Sequence, residues 1–198
     1  MINTNGLAID KHDISILLNS LTELSISVDS INPETYGKIH GNGKNLEKVI
    51  ENIKKCIEYK KEFGATADIV VRFTENELNE NEYPKFKKFF ENLGVDKINY
   101  TKVHSFAGIK KELSNKHDAL FCNHPKQIVN FTFTGELTTC CINWHFEPLF
   151  GNIKNYTIKE LWEGEKYADW LKKRLDYIPC NNCNGLGNKA QKRNLKYK

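Results

Sequence analysis

Six cysteines stand at positions 56, 122, 140, 141, 180 and 183, and five of them follow residue 121. Cys180-Asn-Asn-Cys183 is a CxxC pair, with Cys122 and the Cys140-Cys141 doublet upstream. A CxxC alone fits a redox pair, half a zinc site or half an iron–sulfur site. Four thiolates on a small, loop-rich unit make a soft donor set, which suits iron–sulfur or zinc. A thioredoxin-like reading is poor, because this CxxC follows a helix and a proline instead of opening a helix after a strand. His124 and His145 lie near the cysteines, and packing or solvent exposure explains them more simply than ligation. Cys56 flanks the apolar face of a helix and reads as a small buried thiol.

The elements that must gather these thiols are legible around them. Gln127 to Phe133 and Leu137 to Ile142 read as a hairpin with its turn at Thr134-Gly135, so the two ends of the segment 122–140 can meet. Thr157 and Glu160 have capping-box spacing and open a short helix with Ile158, Leu161 and Trp162. Gly164 interrupts it, and a second helix carries Tyr167, Trp170, Leu171 and Leu175 up to Pro179. That helical segment returns the chain beside the hairpin. The three aromatic residues read as core.

The first hundred residues alternate two periods. A helix is expected over 11–21 behind Asp10, then a strand over 24–28. Asn45 is the expected cap of a helix bearing Leu46, Val49, Ile50, Ile53 and Ile57, with Gly64 ending it. Strands follow at 67–73 and 97–103, around a helix with Pro84 in its first turn, Phe86, Phe89 and Phe90 on its apolar face, and Gly94 at its end. This order means βαβ units and a parallel sheet, whose ligands sit at the C-terminal strand ends. Candidate edge residues there are Ser27, Asp29, Ser30, Arg72, Thr74, Asn76 and His104.

Charge and composition exclude several classes. The chain has 198 residues, 39% hydrophobic and 27% charged, which suits a globular protein and not a disordered one. No stretch of eighteen apolar residues exists, so no membrane span or membrane partner is expected. Met1 to Gly6 offers no basic n-region, so the cytoplasm is the expected compartment and the cysteines are not a disulfide framework. The net charge of +4 rests on Lys189, Lys192, Arg193, Lys196 and Lys198, a solvated tail and not a nucleic-acid surface.

These motifs in this order resemble the SPASM/Twitch extension of radical S-adenosylmethionine enzymes. The resemblance is carried by Cys122-Asn-His-Pro125, Thr134-Gly-Glu-Leu-Thr-Thr-Cys140-Cys141, Phe150-Gly-Asn-Ile153, Ile158-Lys-Glu-Leu-Trp162 and Pro179-Cys-Asn-Asn-Cys183. It implies one auxiliary [4Fe-4S] cluster on Cys122, Cys140, Cys180 and Cys183, serving electron relay or substrate positioning. Cys141 is then the neighbour on the opposite strand face. Thr134 stands where the family often has Asp.

Thr4-Asn-Gly6, Ile26 to Ser30, Pro33 to Tyr36 and the helix 45–63 look like the end of the third strand, the fourth strand and the fourth helix of the radical SAM partial (β/α)6 barrel. The implied fold class is α/β, the C-terminal part of that barrel followed by a small SPASM/Twitch domain of β-hairpin plus helices. The implied division is barrel 1–105, linker 106–119, cluster domain 120–184 and basic tail 185–198. Ser27 resembles a contact on the ribose side of S-adenosylmethionine, and His40 stands where the family commonly has Arg.

The family's CxxxCxxC and Gly-Gly-Glu-Pro segments are absent from these 198 residues. No catalytic residue is therefore assigned, and the chain alone is expected not to cleave S-adenosylmethionine. That cofactor would enter only if the missing N-terminal half were supplied, for instance by a second chain, with flavodoxin or ferredoxin as electron donor. The alternative is a non-catalytic metal-binding module, zinc or iron–sulfur, that serves an interaction.

Overall fold

Alternating small polar and apolar side chains over residues 23–28 give a strand one polar face and one apolar face. The computed structural model describes residues 1–106, 110, 122–144, 146–177 and 180–183. It makes this segment the second of four parallel strands: β1 (Ile2–Thr4), β2 (Glu23–Ser27), β3 (Asp68–Glu75) and β4 (Lys97–Lys102). The sheet order follows the chain, β1-β2-β3-β4. Helices α1 (Ile14–Ser20), α2 (Pro33–His40), α3 (Asn45–Phe63) and α4 (Tyr83–Leu93) supply the crossovers. The expected α/β class and parallel sheet are therefore present.

Register separates the two faces of the sheet. Leu24, Ile26, Ile69, Val71 and Phe73 are buried with Leu18, Val49, Ile53, Phe86 and Phe90 of the helices. The opposite face carries Asn3, Ser25, Ser27, Arg72, Asn99 and Thr101. Gly6 lets the chain leave β1 at φ 79°, and a Cβ there would meet Ile26 Cγ2 at 2.9 Å. Asn52 of α3 donates to the Gly6 carbonyl at 2.8 Å, which fastens that exit.

A charged clamp closes the N-terminal ends of β3 and β4. Lys60 donates to the Ala67 carbonyl at 2.9 Å and to both Asp96 oxygens at 2.8 Å. The Ile69 N–H reaches the same carboxylate at 2.7 Å. Burial opposes the charge on Asp96, but Lys60 and the Ile69 N–H outweigh it and hold the carboxyl below its usual range.

Two caps differ from expectation. The first helix is shorter than 11–21 and is capped by Asp13, which accepts from the Ser15 N–H at 2.8 Å. Asp10 lies in a separate 3-10 turn, Ile9–Lys11, and pairs with Lys48 at 3.1 Å. Asn45 is the first residue of α3 and not its cap; Lys44 precedes it without a side-chain cap. Gly64 ends that helix as expected, at φ 70°.

The contacts divide the chain into Met1–Val103 and His104–Lys198. In the second unit α5 (His124–Gln127) precedes a two-stranded antiparallel sheet, β5 (Asn130–Phe131) with β6 (Leu137–Thr138). The hairpin is much shorter than expected, because a returning segment shares it. The Leu137 N–H donates to Gly151 O at 2.8 Å, and the Phe150 N–H donates to Leu137 O at 3.0 Å. Gly151 has φ 127°, and a Cβ there would meet Leu161 Cδ2 at 2.6 Å.

The capping box of Thr157 and Glu160 opens α6 (Ile158–Trp162), and Gly164 caps α7 (Glu165–Lys173). The chain then tightens into a 3-10 turn, Arg174–Asp176. Leu137, Leu161, Tyr167 and Trp170 form the core, with Phe150 and Trp162 against it. His145, Pro179, the tail 185–198 and all of the linker except residues 106 and 110 lie outside the described residues. Among the described residues no helix is long and apolar enough to cross a membrane.

Candidate metal centre

The Cys122 segment is held by polar side chains from elsewhere in the second unit, and the other two cysteine segments are held by local turns. Cys122 precedes α5, and Arg174 donates from Nη2 to its carbonyl at 3.1 Å. The Tyr167 hydroxyl donates to Pro125 O at 2.6 Å, so α7 and the turn after it each pin this segment once. Cys140 follows β6 on a turn organised by Asn143, which is 2% exposed. The Asn143 amide donates to Thr139 Oγ1 at 2.9 Å and to Glu147 O at 2.8 Å, and its backbone N–H donates to Cys140 O at 3.2 Å. Cys180 opens the 3-10 turn Cys180–Asn182, and the Cys183 N–H closes onto its carbonyl at 3.3 Å.

The thiols share one electrostatic environment. Burial, together with Cys140, Cys183 and Cys122 and against the opposing charge of Arg174, pushes Cys180 up to about 12. Burial pushes Cys140 up to about 11, with Cys183 and Cys141 adding to the rise and the Ile142 N–H opposing it. Thiols held neutral and close to one another suit a bound cation that takes their protons away. Among the described residues no three Cys, His, Asp or Glu side chains converge tightly enough for a single metal ion. Four soft thiolates are the donor type that an iron–sulfur cluster takes.

The remaining candidates divide clearly. Cys141 is exposed and feels the charge of Cys122. It follows a turn and not a strand, because β6 ends at Thr138. Cys56 is fully buried in the first unit, and burial pushes it up to about 11. His124 is lowered by burial, and its Nε2 has no partner among the described residues.

At the C-terminal strand ends of the first unit, Ser27 pairs in register with Arg72, whose Nη1 donates to Asn3 Oδ1 at 3.1 Å across β2. Asp29 adopts φ 61° and accepts the Thr74 N–H at 2.6 Å. Its carboxylate also lies 3.2 Å from His40 Nε2, and the His40 ring stacks on Tyr36. Ser30 donates to Glu82. Asp29, Ser30 and Thr74 thus fasten the strand ends. Ser27 and Arg72 are left on the polar face. His104 belongs to the second unit, where it accepts the Phe106 N–H at 3.1 Å.

Sequence reasoning missed Asn79, 1% exposed, whose amide donates to Asp29 O at 2.7 Å and Thr74 O at 3.1 Å. It also missed Arg174 and Asn143. An Asn within a polar loop has no periodicity to mark it.

Glu136 provides a pH-dependent test of the hairpin. Thr132 donates to it at 2.6 Å, Thr134 also donates to it, and Asn152 adds a bond at 3.1 Å. Together these hold its carboxyl at about 2. The stabilisation is full above the ordinary Glu value of about 4.3 and is lost as pH falls from there through about 2. Urea unfolding of the wild type and Glu136→Gln is expected to show a constant difference from about pH 7 to 5 and a smaller one at about pH 3. A constant difference down to pH 3 contradicts the assignment.

Residues 1–81 match the family described as the Radical SAM superfamily, and residues 122–184 match the iron–sulfur cluster-binding domain SPASM. A probable GTP 3',8-cyclase of Saccharolobus islandicus (strain Y.N.15.51 / Yellowstone #2) is 30% identical over 119 residues, 60% of this chain and 36% of that protein. A protein of the same description from Methanococcus maripaludis (strain C5) is 28% identical over 116 residues, 59% of this chain and 36% of its own. The match thus spans about a third of the length of these relatives. A crystal structure of BtrN in complex with AdoMet and 2-DOIA aligns over 87% of this chain and 78% of its own, at 14% identity and a TM-score of 0.38. That likeness is too loose to argue from.

Proposed function

Since the chain belongs to the radical SAM superfamily and carries a SPASM-type iron–sulfur cluster-binding domain, we propose that Cys122, Cys140, Cys180 and Cys183 hold one auxiliary [4Fe-4S] cluster. The supporting observation is the shared electrostatics of these thiols within one anchored unit. Such a cluster, with a thiolate on each of its four irons, would serve as an electron relay or help position a substrate beside it. Arg174 and Tyr167 hold the Cys122 segment in place for it, Asn143 holds the Cys140 turn, and burial excludes water from Cys183, which is 8% exposed.

In the first unit, Ser27 faces the ribose of S-adenosylmethionine, on the polar sheet face that also bears Arg72 and Asn99. The three thiolates that would bind the cleavage cluster come from outside these 198 residues, for example from a second chain. Flavodoxin or ferredoxin supplies electrons. The GTP cyclase description of the relatives makes a guanine nucleotide the first substrate to test.

Anaerobic purification tests the cluster. A brown protein with about four irons and four sulfides per chain is expected. Colourless protein with a single zinc overturns the reading. S-adenosylmethionine is expected to bind the isolated chain negligibly, and tight binding would overturn the assignment of the missing thiolates.

A further inference from the structure

Reducing an iron–sulfur cluster by one electron makes it one charge more negative. Nearby positive charge and hydrogen bonds to its sulfurs therefore favour the reduced form. The second unit buries one group of each kind beside the assigned cysteines: the guanidinium of Arg174 and the hydroxyl of Thr139. On the cluster assignment above, and going beyond it, we infer that both are positioning residues that raise the cluster's reduction potential. They act through the thiolates and touch no substrate.

Arg174 opens the 3-10 turn after α7 and is 7% exposed. Its Nη2 donates to the Cys122 carbonyl at 3.1 Å, which brings the charge to the first cysteine segment. Cys180 feels the same charge, which favours its thiolate form. One cation thus acts on two segments far apart in sequence. Little solvent screens a charge held at this depth, so it counts for more than one on the surface. A guanidinium does not give up its proton, so the charge persists through the redox step.

Thr139 is fully buried. Its Oγ1 accepts the Asn143 amide at 2.9 Å, which leaves the hydroxyl proton for Cys140 Sγ at 4.0 Å. Asn143 is itself fixed by Glu147 O at 2.8 Å. The bond to a neutral thiol is long and weak, and it strengthens when the sulfur carries charge.

The test uses the full chain, purified anaerobically and titrated with dithionite in the presence of mediator dyes. The electron paramagnetic resonance signal of the reduced cluster gives the midpoint. Arg174→Gln removes the charge and is expected to disfavour reduction about tenfold, or about 59 mV for one electron. Arg174→Lys keeps the charge and is expected to stay within about threefold of the wild type. Thr139→Val keeps the shape without the hydroxyl and is expected to disfavour reduction about fivefold. Thr139→Ser is expected to restore the wild-type midpoint. A merely structural role would change iron content and leave the potential alone.

Iron-loaded Arg174→Gln or Thr139→Val at the wild-type potential overturns the inference and leaves the cluster standing. If either variant loses its iron, its conservative counterpart decides: a Lys or Ser variant shifted by more than about threefold overturns the inference. A wild type without iron overturns the cluster assignment and this inference with it.

Discussion

A chain with Cys180 and Cys183 both changed to alanine emerges from anaerobic purification colourless, with less than about one iron where the wild type holds about four. The pair forms the tight turn Cys180–Asn182 and its closing residue, so both sulfurs leave together. Two thiolates remain in the assigned set, too few to retain a four-iron centre. Metal binding and folding share one free energy, so the second unit also becomes less stable than in the loaded wild type. Three single variants sharpen the result. Cys56→Ala retains its iron, because that thiol is buried in the first unit. Cys141→Ala retains its iron and Cys140→Ala does not. The opposite outcome would exchange the two members of the doublet.

Phe73→Ala is expected to destabilise the first unit by about 3–5 kcal/mol. Phe73 is fully buried on β3, with ring centroids 4.8 Å from Phe86 and 5.3 Å from Tyr83. Its removal opens a cavity between sheet and helix that a β-strand cannot collapse to fill. A loss of this size takes much of the stability of a small domain, about 5–15 kcal/mol. Phe63→Ala removes a ring that is 62% exposed and is expected to change stability by about 0.5 kcal/mol or less. Denaturant unfolding followed by circular dichroism separates the two variants. Equal losses would contradict the placement of the core.

The elements legible in the sequence were those where periodicity and termination agreed. Helix α3 is the best case: Leu46, Val49, Ile53 and Ile57 keep one face and Gly64 stops the chain. Helix α1 was misplaced because Asp10 and Asp13 are equally good caps by type, and only the 3-10 turn Ile9–Lys11 decides between them. Helix α2 has few apolar residues. Periodicity therefore does not mark it; the structure shows it capped by Asn32, whose side chain accepts the Glu34 N–H at 2.9 Å. The hairpin was overdrawn because β-propensity does not foresee a third segment, and Phe150 to Ile153 competes for the pairing.

The cysteines themselves were visible as a set, because thiols are rare and their order is distinctive. The groups that hold them were not. Arg174, 7% exposed, looks in sequence like any helix-end cation, and only its reach to the Cys122 carbonyl distinguishes it.

The clamp of Lys60, Asp96 and the Ile69 N–H joins the ends of β3 and β4 that lie away from Ser27 and Asp29. The scaffold is thereby braced at its floor independently of the bonds from Asp29, Ser30 and Asn79 that tie its rim. Exposed positions after β3 outside both sets, such as Glu77 and Glu80, are free to be exchanged over evolutionary time for new chemistry while the strand register stays locked. Laboratory selection for altered ligand preference should accordingly accumulate changes at such positions and spare the residues that brace floor and rim.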